Sequence, residues 1–262
     1  MALVGDGGDE SFAGYERYAA MRLAARVPHT VAGAGAKLLR GAGERRSLRF
    51  RAARFLDVAA APEAARYGRI MEVFSPAERV RLWTDDALAE LAPLRSAAAL
   101  LGPPPERGIR GLQRLDAETY LPGDLLPKAD IASMAHSLEL RSPFLDHRVV
   151  ELGLALPDSL RFEGRTGKVA LRRAFAAELP AEIAGRGKKG FGVPLAAWFR
   201  GELRDLAGDV ARDSTLFRRD AVERLLADHA AGRADNGHRL WCIVMLELWQ
   251  RRYAETREPV AA

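Results

Sequence analysis

The sequence runs to 262 residues, 48% hydrophobic and 29% charged, enough chain to bury a sizeable core as one large domain or two modest ones. No apolar run reaches the roughly 18 residues of a membrane span, no signal peptide follows Met1, and the single cysteine, Cys242, excludes an intrachain disulfide and fits a reducing cytoplasm. The net charge of +5 is scattered over 40 basic and 35 acidic residues, which reads as a salt-bridged surface rather than a nucleic-acid face.

In chain order, four residues that read as the end of a strand precede a GDGGDE loop at 5–10. Its glycines at 5, 7 and 8 permit positive φ and let backbone N–H groups approach an anion. A helix predicted over 10–26 aims its N-terminal dipole at the same place. The loop's acids repel phosphate, so Asp6 or Asp9 would there hold Mg²⁺ or act as a base. The alternative is a Gly/Asp turn that merely caps a helix. Residues 31–100 read as Ala/Arg/Leu-rich helices broken at Pro62, Ser75-Pro76 and Pro93. The GAGAK at 33–37 is helix surface, since no Gly-Lys-Ser/Thr follows it.

A stiff polar linker, GPPPERG, occupies 102–108. Residues 120–157 then alternate helical runs with turns at Pro122-Gly123 and Ser142-Pro143, and Asp146 is placed to N-cap a helix through Leu156. Residues 164–168 form a loop that opens a helix over 169–179, and 185–194 is a Gly-rich basic loop. The segment LWCIVMLELWQ at 240–250 is apolar nearly all round and predicts a buried helix. Beyond the first few residues there is little β signal, so the chain itself reads as mainly α.

Only five of the basic residues are lysine, at 37, 128, 168, 188 and 189, and four of them fall between 128 and 189. An ammonium and a guanidinium are not interchangeable. Lys168, behind Gly164 and Gly167, can reach a phosphate or a developing negative charge, or can simply be solvated. Glu139 with Arg141 and Asp146 with Arg148 read first as structural pairs. His136 and His147 lie eleven apart and His238 and Cys242 four apart, neither of which makes a zinc site. No Gly-x-Ser-x-Gly elbow is present.

Five segments in order resemble the synthetase domain of the glutamine-hydrolysing asparagine synthetases: GDGGDESFAGYERY (5–18), YLPGDLLPKADIASMAHSLELRSPFLDHRVVEL (120–152), GKVALRRAF (167–175), GKKGFGVPLAAWFRGELRDL (187–206) and HRLWCIVMLELW (238–249). RYGRIMEVFSPAE at 66–78 fits more weakly, so the likeness covers nearly the whole chain. The resemblance implies an α/β, Rossmann-like domain of the adenine nucleotide alpha hydrolase type, of which residues 1–262 are the C-terminal helical portion with a remnant strand. It implies ATP and Mg²⁺, adenylation of a carboxylate, and displacement of AMP by ammonia. By matched position, Asp6 and Lys168 are the catalytic pair, and Asp9 is the metal ligand. Val4, Gly5, Gly7 and Gly8 edge the ATP, while Glu10, Glu139 and Arg141 fall on the substrate side. Lys128 and Asp130 match motif positions without an assigned role. Relatives that close β-lactam rings carry Tyr where Asp6 stands, so Asp6 favours amidation by ammonia.

The departures are equally specific. The family's pyrophosphate-gripping Ser-Gly-Gly-x-Asp-Ser turn does not occur in this sequence, nor does a glutaminase domain with its cysteine nucleophile; Ala2 follows Met1. Val4 replaces a usual Ser, Ser11 a usual Leu, and Ile131 an Arg often found after Asp130. The expectation is a chain that carries one wall of the site and is inactive alone. It reads as a truncated product, a chain with its start placed too late, or one half of a split enzyme whose other half is a separate chain; ammonia would come from a glutaminase domain, and the acceptor would be aspartate or another carboxylate. A homodimer is compatible with this; a membrane is not, and nucleic acid is disfavoured. Two other readings stay open: an enzyme forming a different amide in peptide or antibiotic maturation, and a catalytically silent helical partner.

Overall fold

The computed structural model describes residues 1–39, 48–91, 99, 101–180, 182 and 192–253. The break predicted at Pro93 and most of the 185–194 loop, with Lys188 and Lys189, lie outside those residues. The described chain is mostly helical and divides into two compact units. Unit 1 comprises Met1–His29, Val58–Ile70 and Leu101–Gly190; unit 2 comprises Thr30–Asp57, Met71–Leu100 and Phe191–Ala262. No helix among the described residues is long and apolar enough to cross a membrane.

Unit 1 holds all four strands of the described residues, each two residues long. Strand β1 (Ala2–Leu3) pairs in parallel with β2 (Leu140–Arg141), Ala2 opposite Leu140 and Leu3 opposite Arg141. Val4 extends the ladder by donating its N–H to the Arg141 carbonyl at 2.9 Å. The predicted strand end is therefore real, and it has a partner that periodicity could not reveal in a two-residue stretch. Strands β3 (Phe162–Glu163) and β4 (Thr166–Gly167) form an antiparallel hairpin that turns at Gly164, where φ is +60°. That hairpin, not a plain loop, precedes Lys168.

The helix expected over 10–26 is two helices. The first, α1, is Gly8–Ser11, and the second, α2, is Glu16–Ala24. Ala13 adopts a left-handed φ of 55° between them. Gly14 follows because a Cβ there would sit 1.8 Å from Asp9 Oδ1 and 2.3 Å from Lys168 Cε. A side chain at 14 would therefore occupy the space of an ion pair, so the chain bends where no local signal beyond one glycine asked it to.

The turn predicted at Pro122-Gly123 is also corrected. Helix Ile109–Glu118 runs on through a π-helical turn, Leu121–Leu125, into helix Leu126–Met134. Gly123 still donates to the Thr119 carbonyl at 2.8 Å, and Pro122 sits in the first turn of the wide segment, where its missing N–H costs little. The turn at Ser142-Pro143 is present as a short 3₁₀ segment, and Asp146 caps helix His147–Ala155 by accepting the Arg148 N–H at 2.9 Å. The helix expected over 169–179 is shorter, Val169–Ala174.

Unit 2 is organised by an apolar cluster that includes Leu82, Leu195, Phe199, Val210, Phe217, Val222, Leu240, Ile243 and Val244. The break expected at Ser75-Pro76 is the start of a helix. Ser75 and Glu78 form a reciprocal capping box at Pro76–Leu82. Buried His229 accepts from the Asn236 N–H at Nδ1 (3.1 Å), which leaves Nε2 to donate to the Ala196 carbonyl at 3.0 Å. Helix Gly237–Tyr253 departs from expectation. Leu240, Ile243, Val244 and Glu247 are buried, but Trp249 is 57% exposed and Trp241, Met245 and Leu248 are partly so. A segment apolar nearly all round is thus buried along one face only among the described residues.

Candidate active site

The GDGGDE loop leaves the end of β1 and enters α1 within unit 1, and the β2–3₁₀ segment lies against it. The Ser142 hydroxyl donates to the Asp6 carbonyl at 2.5 Å. Gly7 has φ +81°, and a Cβ there would fall 2.4 Å from Leu145 Cδ2; Gly8 packs on the Phe144 ring. Both glycines are buried, whereas Gly5 is exposed and Val4 and Asp6 are half-buried. The glycines at 7 and 8 are therefore packing requirements as well as conformational ones.

Asp9 Oδ1 lies 2.8 Å from the Lys168 ammonium, an ion pair joining residues 159 positions apart in sequence. Lys168 itself is held in the left-handed region (φ 56°), costly for a non-glycine residue. Its N–H donates to the Phe12 carbonyl at 3.1 Å. On the facing side, a Cβ at Gly167 would meet the Ala13 carbonyl at 2.2 Å. Two chain reversals, one at Ala13-Gly14 and one at Gly167-Lys168, are thus pressed together so that an ammonium and a carboxylate meet at the loop.

Glu10 lies elsewhere. It is 2% exposed and accepts the Tyr15 hydroxyl at 2.5 Å, inside unit 1 rather than on its surface. Burial lifts its carboxyl above the usual range, partly offset by that hydrogen bond. Burial and the neighbouring Glu10 likewise push the Tyr15 hydroxyl upward. Glu139 and Arg141 flank Leu140 on β2 and pair with each other at 2.7 Å while staying exposed. The Arg141 backbone is tied to the loop through Val4, but its side chain is spoken for. Lys128 and Asp130 stand on Leu126–Met134, a helix with no buried residue.

Sequence reading missed the layer behind the loop. Asp116, fully buried, accepts at one oxygen from the Tyr18 hydroxyl (2.5 Å), the Tyr67 hydroxyl (2.5 Å) and Arg17 (2.7 Å). The Arg17 guanidinium lies 3.5 Å from the centre of the Tyr15 ring and 4.9 Å from that of Tyr120. Burial opposes its charge, but Tyr67 and Asp116 outweigh that and hold it protonated. Gln113, one turn before Asp116, donates to the Glu10 and Ser11 carbonyls at 2.6 and 2.8 Å. The only available signal was a Gln and an Asp three apart on the apolar face of a helix. No cluster of three His, Cys, Asp or Glu side chains able to hold a metal exists among the described residues, which includes His238 and Cys242.

The family model described as asparagine synthase matches residues 1–251. Asparagine synthetase [glutamine-hydrolyzing] 1 of Bacillus subtilis is 36% identical over 152 residues, 57% of this chain and 24% of that protein. The asparagine synthetase [glutamine-hydrolyzing] of Gallus gallus is 41% identical over 104 residues, 37% of this chain and 18% of its own length. That of Bos taurus is 39% identical over 105 residues, with the same shares. No solved structure matches. The chain thus spans about a quarter of the length of the curated relatives it matches. With residues 1–251 matched, nearly the whole sequence, the chain belongs to the asparagine synthase family.

Proposed function

We propose that this chain forms one wall of an ATP-dependent, amide-forming active site, in which the side-chain carboxylate of aspartate is adenylated and then amidated by ammonia. The observation that carries the reading is the Asp9–Lys168 pair, set at a glycine loop in a member of this family. The first step places a carboxylate oxygen on the α-phosphorus of ATP and releases pyrophosphate. In the second, ammonia bonds to the acyl carbon, AMP leaves, and a proton must be taken from nitrogen.

Each role is supported by where its residue stands. Lys168, fixed by a left-handed backbone and by Asp9 before any anion arrives, can meet charge developing at phosphorus without reorganising. Asp6, half-buried and tethered through its carbonyl by Ser142, is the group in the loop suited to take the proton. Val4 and the exposed Gly5 leave a main-chain edge for the nucleotide. The residues present fit magnesium only as an ion shared with phosphates: one partly exposed carboxylate, Asp9, and no ready-made cage among the described residues. That is the usual donor set for Mg²⁺ carried on a nucleotide. Asp9 would hold it, and it would neutralise phosphate charge.

The same reading extends β1 and β2 into a larger nucleotide-binding sheet, since parallel strands are found where helices cover both faces. It also assigns the missing Ser-Gly-Gly-x-Asp-Ser turn, and the glutaminase that releases ammonia, to polypeptide outside this sequence. Binding of an aspartyl-adenylate analogue with a non-hydrolysable sulfamoyl link tests the assignment on the 262-residue chain. With Mg²⁺ and pyrophosphate supplied, binding is expected, weakened at least about tenfold by Asp9→Asn and by Lys168→Ala. Binding that ignores both changes would contradict it.

A further inference from the structure

Helix α1 poses an accounting problem. It has four residues, so every one of its carbonyls is a terminal carbonyl without a helical successor to bond it. Gly7 O accepts from Ser11 N–H, Gly8 O from Phe12 N–H, and Asp9 O from Gly14 N–H. Phe12 O accepts from Lys168 N–H. Two carbonyls remain, those of Glu10 and Ser11, and the chain turns away at Ala13 before any backbone donor can reach them. Both are met by the two hydrogens of one amide, Gln113 Nε2, whose side chain is completely buried.

We propose that Gln113 is the positioning residue of the active-site loop: its amide closes the C-terminal end of α1 and thereby sets Asp9 against Lys168. Among side chains only an amide offers two neutral donors from one atom. An ammonium or guanidinium would carry charge into a dry site, and a carboxylate would oppose two carbonyl oxygens. The residue next to Asp9 is held by Gln113 on the carbonyl side, and the Asp9 carbonyl is held by Gly14. The Phe12 carbonyl is the anchor for Lys168. One amide therefore governs both members of the pair while touching neither. Asp116 holds the same helix three residues on, through Tyr18, Tyr67 and Arg17, so the donor itself is fixed. Gly153 completes the fit, since a Cβ there would come within 2.5 Å of the Ser11 carbonyl.

The catalytic meaning of this device rests on the function proposed above, but its geometry does not, and the two can fail separately. Hydrogen exchange at the amides of Gly14 and Lys168 reads the geometry on the 262-residue chain with no nucleotide present. Gln113→Met keeps the volume and removes both donors. Exchange at these two amides, neither of which bonds Gln113, is expected to quicken at least about tenfold relative to Val58→Ala, a core truncation that reports general destabilisation. The Lys168 side-chain ε-carbon resonance, one of only five lysine signals, is expected to move to the position it takes in Asp9→Asn. Gln113→Asn, which keeps the amide one methylene shorter, serves if the methionine variant does not fold, and should shift the same two amides and the same resonance in the same direction by less. Unchanged exchange at Gly14 and Lys168 together with an unmoved Lys168 signal, in whichever variant folds, would overturn the proposal. Altered exchange and resonance without any adenylate binding would uphold it and count against the function instead.

Discussion

The two units put their buried polar groups to different uses. The cluster in unit 2 is apolar throughout, built from Leu82, Phe199, Val222, Leu240 and their neighbours. Both units also bury polar groups, Glu10, Arg66, Gln113, Asp116 and Arg161 in unit 1 and Glu72, His229, Asn236 and Glu247 in unit 2, but those of unit 1 tie the glycine loop through directed bonds. An apolar core tolerates small shifts because burial is not directional. A buried polar network does not, since each unmet donor or acceptor costs about 1–3 kcal/mol. Unit 1 carries the candidate site, where an ammonium and a carboxylate stand 2.8 Å apart. Directed bonding is where placement of that kind comes from, and the lesson is that the buried polar groups of unit 1 hold a loop in place whereas those of unit 2 tie helix to helix.

Matched substitutions can break that contrast. Asp116→Ala leaves two tyrosine hydroxyls and a guanidinium without their shared acceptor, and should lower stability by about 3–5 kcal/mol. It should also loosen the Gly14 and Lys168 amides beyond what that loss explains. Leu240→Ala in unit 2 should cost about 2–5 kcal/mol by transfer and cavity terms, read in a denaturant titration, with adenylate-analogue binding at saturating folded protein unchanged. Equal effects of both on the loop amides would erase the distinction drawn here. Ser75→Ala removes one half of a capping box and should cost about 1 kcal/mol, confined to unfolding measurements.

Glu10→Gln gives the smallest change and the opposite sign. Burial raises the Glu10 carboxyl above 4.5 in the fold, so the native chain holds a proton that the unfolded chain releases. That contribution is complete below about 4.5 and is lost as pH climbs through the folded value. The amide variant can still accept from Tyr15 and has no charge to bury. Its stability relative to the native chain should therefore be level at low pH and rise across the window above 4.5, in melts taken along a pH series. A curve that falls there would show Glu10 to be ionised and well paired.

Features written locally were legible. Ser75-Pro76 marked a break between helices, Asp146 marked a helix start, and the GDGGDE run marked a strand-to-helix loop. Lys168 stood out because lysine is scarce in this chain, and it does meet Asp9. Features imposed by distant contacts were not. The bend at Ala13-Gly14 exists because Lys168 must fit, and a single glycine does not announce a partner 154 residues away. Two residues of β2 are too few for an alternating pattern to register. Nothing local marks Gln113 and Asp116, because their partners come from three other segments of the chain. Trp249 shows the converse error: apolarity all round a helix did not bring burial all round.

The central claim is that Asp9 and Lys168 serve adenylation followed by ammonolysis. It is tested most directly by the fate of carboxylate oxygen. Aspartate labelled with ¹⁸O in its side chain, ammonia, Mg·ATP and this chain would be combined with a polypeptide carrying the Ser-Gly-Gly-x-Asp-Ser turn, and the released AMP weighed by mass spectrometry. The account predicts one ¹⁸O atom in AMP, with the label lost when Asp9→Asn or Lys168→Ala replaces the native chain. Asparagine formed with unlabelled AMP, or label transfer that survives both substitutions, would contradict it.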